Sequence, residues 1–237
     1  MISPMRLTQR QRTHGLSMLS LGQRSCAVFG LALALSIVSG CTGPKKGVER
    51  GEALWGGCTQ CHGEEGHGRE LIMAPAIAGL PSWYVESQLN KFKIGHRGFH
   101  PGDLPALKMR PMALTLETES EVKAITAFVA TLPPADPPRA MTIGDAKRGK
   151  TAFATCMACH GPDAAGMKAL NSPNLTGQAD WYMLAQLKKF KAGIRGKAKG
   201  DTTGAQMGAI AGTLTESAME DVVAYIMTLP LQKSKEQ

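Results

Sequence analysis

The segments Cys58-Thr59-Gln60-Cys61-His62 and Cys156-Met157-Ala158-Cys159-His160 place two thiols and an imidazole at the same spacing twice in a chain of 237 residues. Two thiols three positions apart, followed directly by a histidine, suit attachment of a porphyrin. The sulfurs add across its two vinyl groups, and the imidazole places a nitrogen beneath the iron. A dithiol oxidoreductase also uses C-x-x-C but has no need of the adjoining histidine in both copies. A four-ligand zinc site would have to join two pairs that belong to separate, complete repeats. The spacing therefore predicts two covalently bound haem c groups, one held by Cys58, Cys61 and His62, the other by Cys156, Cys159 and His160.

The sixth iron position decides between electron transfer and chemistry, because an open position admits small molecules. Met73, Met109 and Met112 are candidates in the first copy, and Met167, Met207 and Met219 in the second. A single methionine is ordinarily core filler. Only Met109 and Met207 stand at the same distance, 47 residues, after their histidines. Met73 aligns with Asn171, Met112 with Ile210, and Met219 with Val122 on a helix stripe. The expected metal ligands are thus His62 with Met109 and His160 with Met207. A soft thioether favours ferrous iron and raises the potential. His67, His96 and His100 align with Ala165, Ile194 and Ala198 and are expected at the surface.

Beyond the motifs, an offset of 98 also relates Pro75 to Pro173, Trp83-Tyr84 to Trp181-Tyr182, Gln88-Leu89 to Gln186-Leu187, Lys91-Phe92-Lys93 to Lys189-Phe190-Lys191 and Arg97-Gly98 to Arg195-Gly196. One extra residue, Glu117, then reduces the offset to 97. Two tandem domains follow, over residues 47–132 and 145–231, joined by a proline-rich linker over 133–144. The periodicity within each is helical, giving an all-α class. Val85, Leu89 and Phe92 share one face, as do Met183, Leu187 and Phe190, with Ser82 and Asp180 as N-caps and Gly95 and Gly193 as stops. Val122, Ile125, Val129 and Leu132 form the stripe of a last helix, opened by a Thr118/Glu121 capping box and repeated by Met219, Val222, Ile226 and Leu229. Arg97 and Arg195 are expected either to meet a haem propionate or to stand solvated at a helix end. Trp83, Tyr84, Trp181 and Tyr182 are expected as core or porphyrin contacts. Lys91, Lys93, Lys188, Lys189 and Lys191 are expected on a solvated or docking face.

Residues 1–25 are polar and contain arginine, and the apolar stretch Cys26 to Val38 is short for a mature membrane span. Val38-Ser39-Gly40-Cys41 resembles a lipobox. Residues 1–40 are accordingly expected to be a lipoprotein signal peptide, with Cys41 the first mature residue and the site of lipid attachment, enough for stable anchoring. An ordinary signal peptide and an uncleaved anchor helix are the alternatives. No twin arginine is present, which favours the general secretory route. Cys26 and Cys41 leave only the motif cysteines, so no structural disulfide is expected. The formal charge of +8 includes Arg6, Arg10, Arg12 and Arg24 with no acid before residue 41, leaving +4 for the remainder. That weakens a nucleic-acid reading, and none is expected.

The organisation resembles the dihaem cytochromes c of the cytochrome c4 family. The resemblance rests on both motifs, on Gln186-Leu187-Lys188-Lys189-Phe190-Lys191-Ala192-Gly193, on Met207 seven residues before Leu214, and on Thr215-Glu216-Ser217 and Val223-Ala224-Tyr225-Ile226. It implies two class I cytochrome c folds facing each other, His/Met iron in both, and transfer of electrons between redox proteins: a respiratory complex, a dehydrogenase or a terminal oxidase. The lipobox and the stretch His96 to Leu107 depart from that pattern. The leading function is a non-enzymatic electron carrier of the bacterial periplasm, held to the membrane through its lipid. The alternatives are the cytochrome subunit of a larger dehydrogenase and a dihaem redox enzyme.

Overall fold

In each half, a first helix that ends on the motif histidine crosses the last helix of the same half. In the computed structural model, which describes residues 45–137, 139–140 and 144–232, these are α1 (Gly47–His62) with α4 (Glu119–Thr131), and α5 (Ala146–His160) with α8 (Glu216–Ile226). Between them lie α2 (Ser82–Lys93) and α3 (Leu104–Leu114) in the first domain, α6 (Asp180–Lys191) and α7 (Thr202–Thr213) in the second. The described residues contain no strand, only the isolated bridges Arg69 to Ala74 and Met167 to Ser172, each closing a short 3-10 turn. No helix among them is long and apolar enough to cross a membrane. Cys41 and the whole expected signal segment lie outside the described residues.

Local chemistry fixes most helix ends. Thr118 accepts from the Glu121 N–H while Glu121 reaches back to the Thr118 N–H, completing the capping box that opens α4. Asp103 and Asp201 cap α3 and α7 by accepting from Ala106 N (3.3 Å) and Gly204 N (3.0 Å). The expected caps Ser82 and Asp180 are instead the first helical residues, with extended Pro81 and Ala179 at the cap positions. At the first of these starts the fixed φ of Pro81 already holds the chain where α2 begins. The added Glu117 falls in the connection between α3 and α4, where one extra residue disturbs no packed face.

Most of the apolar stripe positions read from the sequence meet in two cores. In the second, Leu184 takes a buried place beside Met183, while Leu187 is only partly buried against the core and Phe190 is buried outside it. Val85, Leu89 and Phe92 of α2 pack with Trp55 of α1 and Val122, Ile125 and Val129 of α4. Met183 and Leu184 of α6 pack with Phe153 of α5 and Met219, Val222, Val223 and Ile226 of α8. Met219 is fully buried there, a core residue as its alignment with Val122 implies. Burying a side chain of this kind contributes about 1.5–3 kcal/mol.

The crossing of first and last helix is tight enough to require glycine. A Cβ on Gly51 would lie 2.1 Å from the Ala124 carbonyl oxygen, and one on Gly149 1.8 Å from that of Asp221. Beside each contact an ion pair ties the same helices, Arg50 to Glu121 at 2.7 Å and Arg148 Nε to Asp221 at 2.8 Å. Gly149→Ala is expected to force α5 from α8 and cost about 1–3 kcal/mol or more, as overpacking does. Chemical denaturation of the holoprotein checks this; an unchanged midpoint would mean that the backbone contact is not limiting.

Candidate functional site

α1 and α5 end on His62 and His160, and positive-φ Gly63 (80°) and Gly161 (78°) turn the chain back over the ring. His62 Nδ1 donates to the Pro75 carbonyl at 2.8 Å, and His160 Nδ1 to that of Pro173 at 3.0 Å. A carbonyl can only accept, so the proton sits on Nδ1 and the Nε2 lone pair is left for a metal. Both rings are buried, which lowers their pKa and outweighs the opposing effect of the carbonyl bonds. A neutral imidazole of fixed tautomer is the form that coordinates iron.

Cys58 and Cys156 are half-buried, Cys61 and Cys159 exposed, and none of the four is in a disulfide. Burial, with Cys61 adding to it, pushes the Cys58 thiol up to about 11, and burial followed by Cys159 also raises Cys156. A dithiol oxidoreductase needs the opposite shift, because its attacking sulfur must be a thiolate. Among the described residues no group of three or more His, Cys, Asp or Glu is arranged to hold a bare metal ion. The donors suit a porphyrin that brings its own nitrogens.

Met109 lies on α3, half-buried against the first core together with Cys58. Met207 lies half-buried on α7. Met73 is 48% exposed in a left-handed turn, and Met112 and Met167 are 39% and 37% exposed.

Several residues whose partners the sequence left open meet between the domains. Gln88 Oε1 accepts from Arg97 (2.9 Å) and from Arg195 (3.0 Å), while Gln186 Oε1 accepts from Arg195 at 2.8 Å. Each arginine also stands close to a tyrosine of the other domain, Arg97 to Tyr182 and Arg195 to Tyr84. Each guanidinium also lies over a phenylalanine of the helix that precedes it, Arg97 on Phe92 at 4.4 Å and Arg195 on Phe190 at 4.5 Å. Lys91 and Lys189, expected on a solvated or docking face, form ion pairs across the boundary with Asp201 (2.7 Å) and Asp103 (2.6 Å). Lys93 and Lys191 bond the carbonyls of Leu116 and Leu214. Of the three histidines expected at the surface, His67 contacts Glu65 and the Pro133 carbonyl, His100 accepts from Gly102 N, and His96 sits near Gly200.

Arg97 Nε and Trp83 Nε1 are buried donors without a protein partner. A buried donor costs free energy unless an acceptor reaches it, and two guanidinium groups sharing one amide oxygen call for anions. The carboxylates at the edge of a haem answer that chemistry, so the orphaned donors fit the group as the thiols and imidazoles do.

Two helical units, each with paired thiols, a tautomer-fixed histidine and cationic donors at their junction, define a redox protein that carries two haems. The family model for cytochrome c matches residues 48–133 and 146–230, and the chain belongs to that family. It carries two covalently bound haem c groups and is an electron-transfer cytochrome. Over 188 residues it is 32% identical to a thiosulfate dehydrogenase electron acceptor of Thiomonas intermedia, covering 75% of this chain and 81% of that protein. The structure of cytochrome c4 from Pseudomonas stutzeri aligns with a TM-score of 0.62 and 26% identity over 78% of this chain and all of the other. A thiosulfate dehydrogenase (TsdBA) of Marichromatium purpuratum aligns with a TM-score of 0.65 and 33% identity over 78% of this chain. The present chain spans 40% of that longer protein's length. The likeness to cytochrome c4 expected from the sequence is borne out, as is the all-α fold of two tandem cytochrome c domains.

Burial alone would raise the pKa of Asp201, but the Lys91 bond and charge, the Gly204 N–H and the charge of His96 hold it below the usual carboxylate range. A carboxyl depressed in the folded state contributes stability above its unfolded pKa and loses it as pH falls through the folded value. Wild type should therefore lose more stability than Asp201→Asn on acidification from neutrality to below about pH 4. Asparagine keeps the helix cap while removing the charge. Thermal melts of both proteins across that range give the comparison; parallel curves would show that the Lys91 pair does not contribute.

Proposed function

We propose that the chain is a periplasmic carrier that passes single electrons through two iron centres, each held by a histidine and a methionine: His62 with Met109, and His160 with Met207. The supporting observation is the repeat of one arrangement in both domains. A tautomer-fixed histidine ends the first helix, and a half-buried methionine on the third helix follows it at the same sequence distance. Each haem iron, when bound, supplies a ferric–ferrous couple that takes up one electron at a time. The protein holds the imidazole neutral and oriented, and Met109 and Met207 would each supply a thioether that closes the iron to substrates and favours the reduced state. Closed sites make this a carrier and not an enzyme.

Arg97, Arg195 and Trp83 would bind the haem carboxylates at the domain junction, which brings the two redox centres to one shared boundary. The donor fitting this reading is a dehydrogenase that oxidises sulfur compounds, as the name of the Thiomonas intermedia relative suggests, and the acceptor is a terminal oxidase or respiratory complex. Cys41 carries the lipid that keeps the carrier at the membrane, by the lipobox reading of Val38-Ser39-Gly40-Cys41.

Met109→Ala and Met207→Ala should each remove the weak near-red band of methionine-bound ferric iron from one haem and leave the other unchanged. Loss of the same band on Met112→Ala would overturn the assignment. Cys41→Ser should move the protein from the membrane fraction to the soluble fraction, and retention in the membrane would exclude lipid as the anchor.

A further inference from the structure

Each methionine-bearing helix is gripped by lysines at both ends, and the two lysines come from different domains. At the start of α7, one oxygen of Asp201 caps the helix through Gly204 N (3.0 Å) and accepts Lys91 Nζ of the first domain at 2.7 Å. Lys91 also donates to Thr203 Oγ1 in the same helical turn, at 2.6 Å. At the start of α3, one oxygen of Asp103 caps through Ala106 N (3.3 Å) and accepts Lys189 Nζ of the second domain at 2.6 Å. At the far ends, Lys93 and Lys191 bond the carbonyls of Leu116 and Leu214 within their own domains.

The cross-domain pairs are shielded from water. The Asp201 and Asp103 side chains are 2% and 6% exposed, and both lysines 17%. Removing one partner of a shielded pair leaves the other charge desolvated and unpaired, so the remaining group shifts to find water. Here the remaining group is the N-cap of the helix that carries the methionine. We infer that Lys189 and Lys91 are positioning residues acting across the domain boundary, Lys189 setting the helix that presents Met109 and Lys91 the helix that presents Met207. The inference rests on those methionines being iron ligands.

The two arms are not equal. Lys91 has a hydroxyl partner in Thr203, whereas Pro105 at the matching position in α3 offers none. α3 also contains Pro111, whose missing N–H weakens the helix two residues beyond Met109. The first site therefore depends more on its single cross-domain bond.

The test is imidazole binding to the full-length ferric holoprotein, since imidazole enters only when the methionine leaves. Met109→Ala and Met207→Ala assign the signal of each haem. If they do not remove one methionine signal each, the ligand reading fails, and that is visible before any lysine variant is made. With the signals assigned, Lys189→Gln should tighten imidazole binding at the first haem by about tenfold and leave the second within about twofold. Lys91→Gln should do the reverse with a smaller change, and Lys189→Arg should restore wild-type binding. Should Lys189→Gln fail to fold, Lys189→Leu likewise leaves the Asp103 cap buried without its cation, and should give the same effect at the first haem. A change at the variant lysine's own domain, an equal change at both haems, or no change at either would overturn the inference.

Discussion

In each half of the molecule the first and last helices approach until the backbone of one rests on a glycine of the other, Gly51 against Ala124 and Gly149 against Asp221. Everything else is built outward from that crossing. It fixes where α1 and α5 end, and so where His62 and His160 stand, and it sets the floor on which α2 and α6 lay their apolar stripes. A side chain at either glycine would separate the helices by more than the neighbouring contacts can absorb, because close-packed interiors have no slack to give.

The histidines are prepared by the chain that returns over them. Proline carbonyls at Pro75 and Pro173 hold Nδ1, so burial, which alone would only make each ring neutral, produces a ring that is neutral, oriented and open at one nitrogen. The same burial makes the neighbouring thiols weak nucleophiles as free groups. Burial thus separates a cofactor-holding motif from a dithiol one, although both are written C-x-x-C.

The domain junction adds a second level of order. Lys91 with Asp201 and Lys189 with Asp103 are the same contact repeated in reverse, as are Arg97 with Tyr182 and Arg195 with Tyr84. An internal duplication makes this possible, since two copies of one surface can be self-complementary about a dyad. Divergence has broken the symmetry locally, through Pro105 opposite Thr203 and through Gln88, which serves both arginines while Gln186 serves one.

The sequence by itself determined the haem motifs, the duplication, the helical class and the buried stripes, because each is carried by spacing along one segment: two residues between thiols, a constant offset between copies, a helical period of apolar positions. The capping box at Thr118 and Glu121 was legible for the same reason. The tertiary structure alone decided what Lys91, Lys189, Arg97 and Arg195 do. Their partners lie in the other domain, about a hundred residues away, and on a helix face an unpaired lysine and one aimed at a distant N-cap have the same local pattern. Even the caps Asp103 and Asp201, visible in principle as acids before a helix, gained their second role only when folding brought the opposite domain's lysines to them.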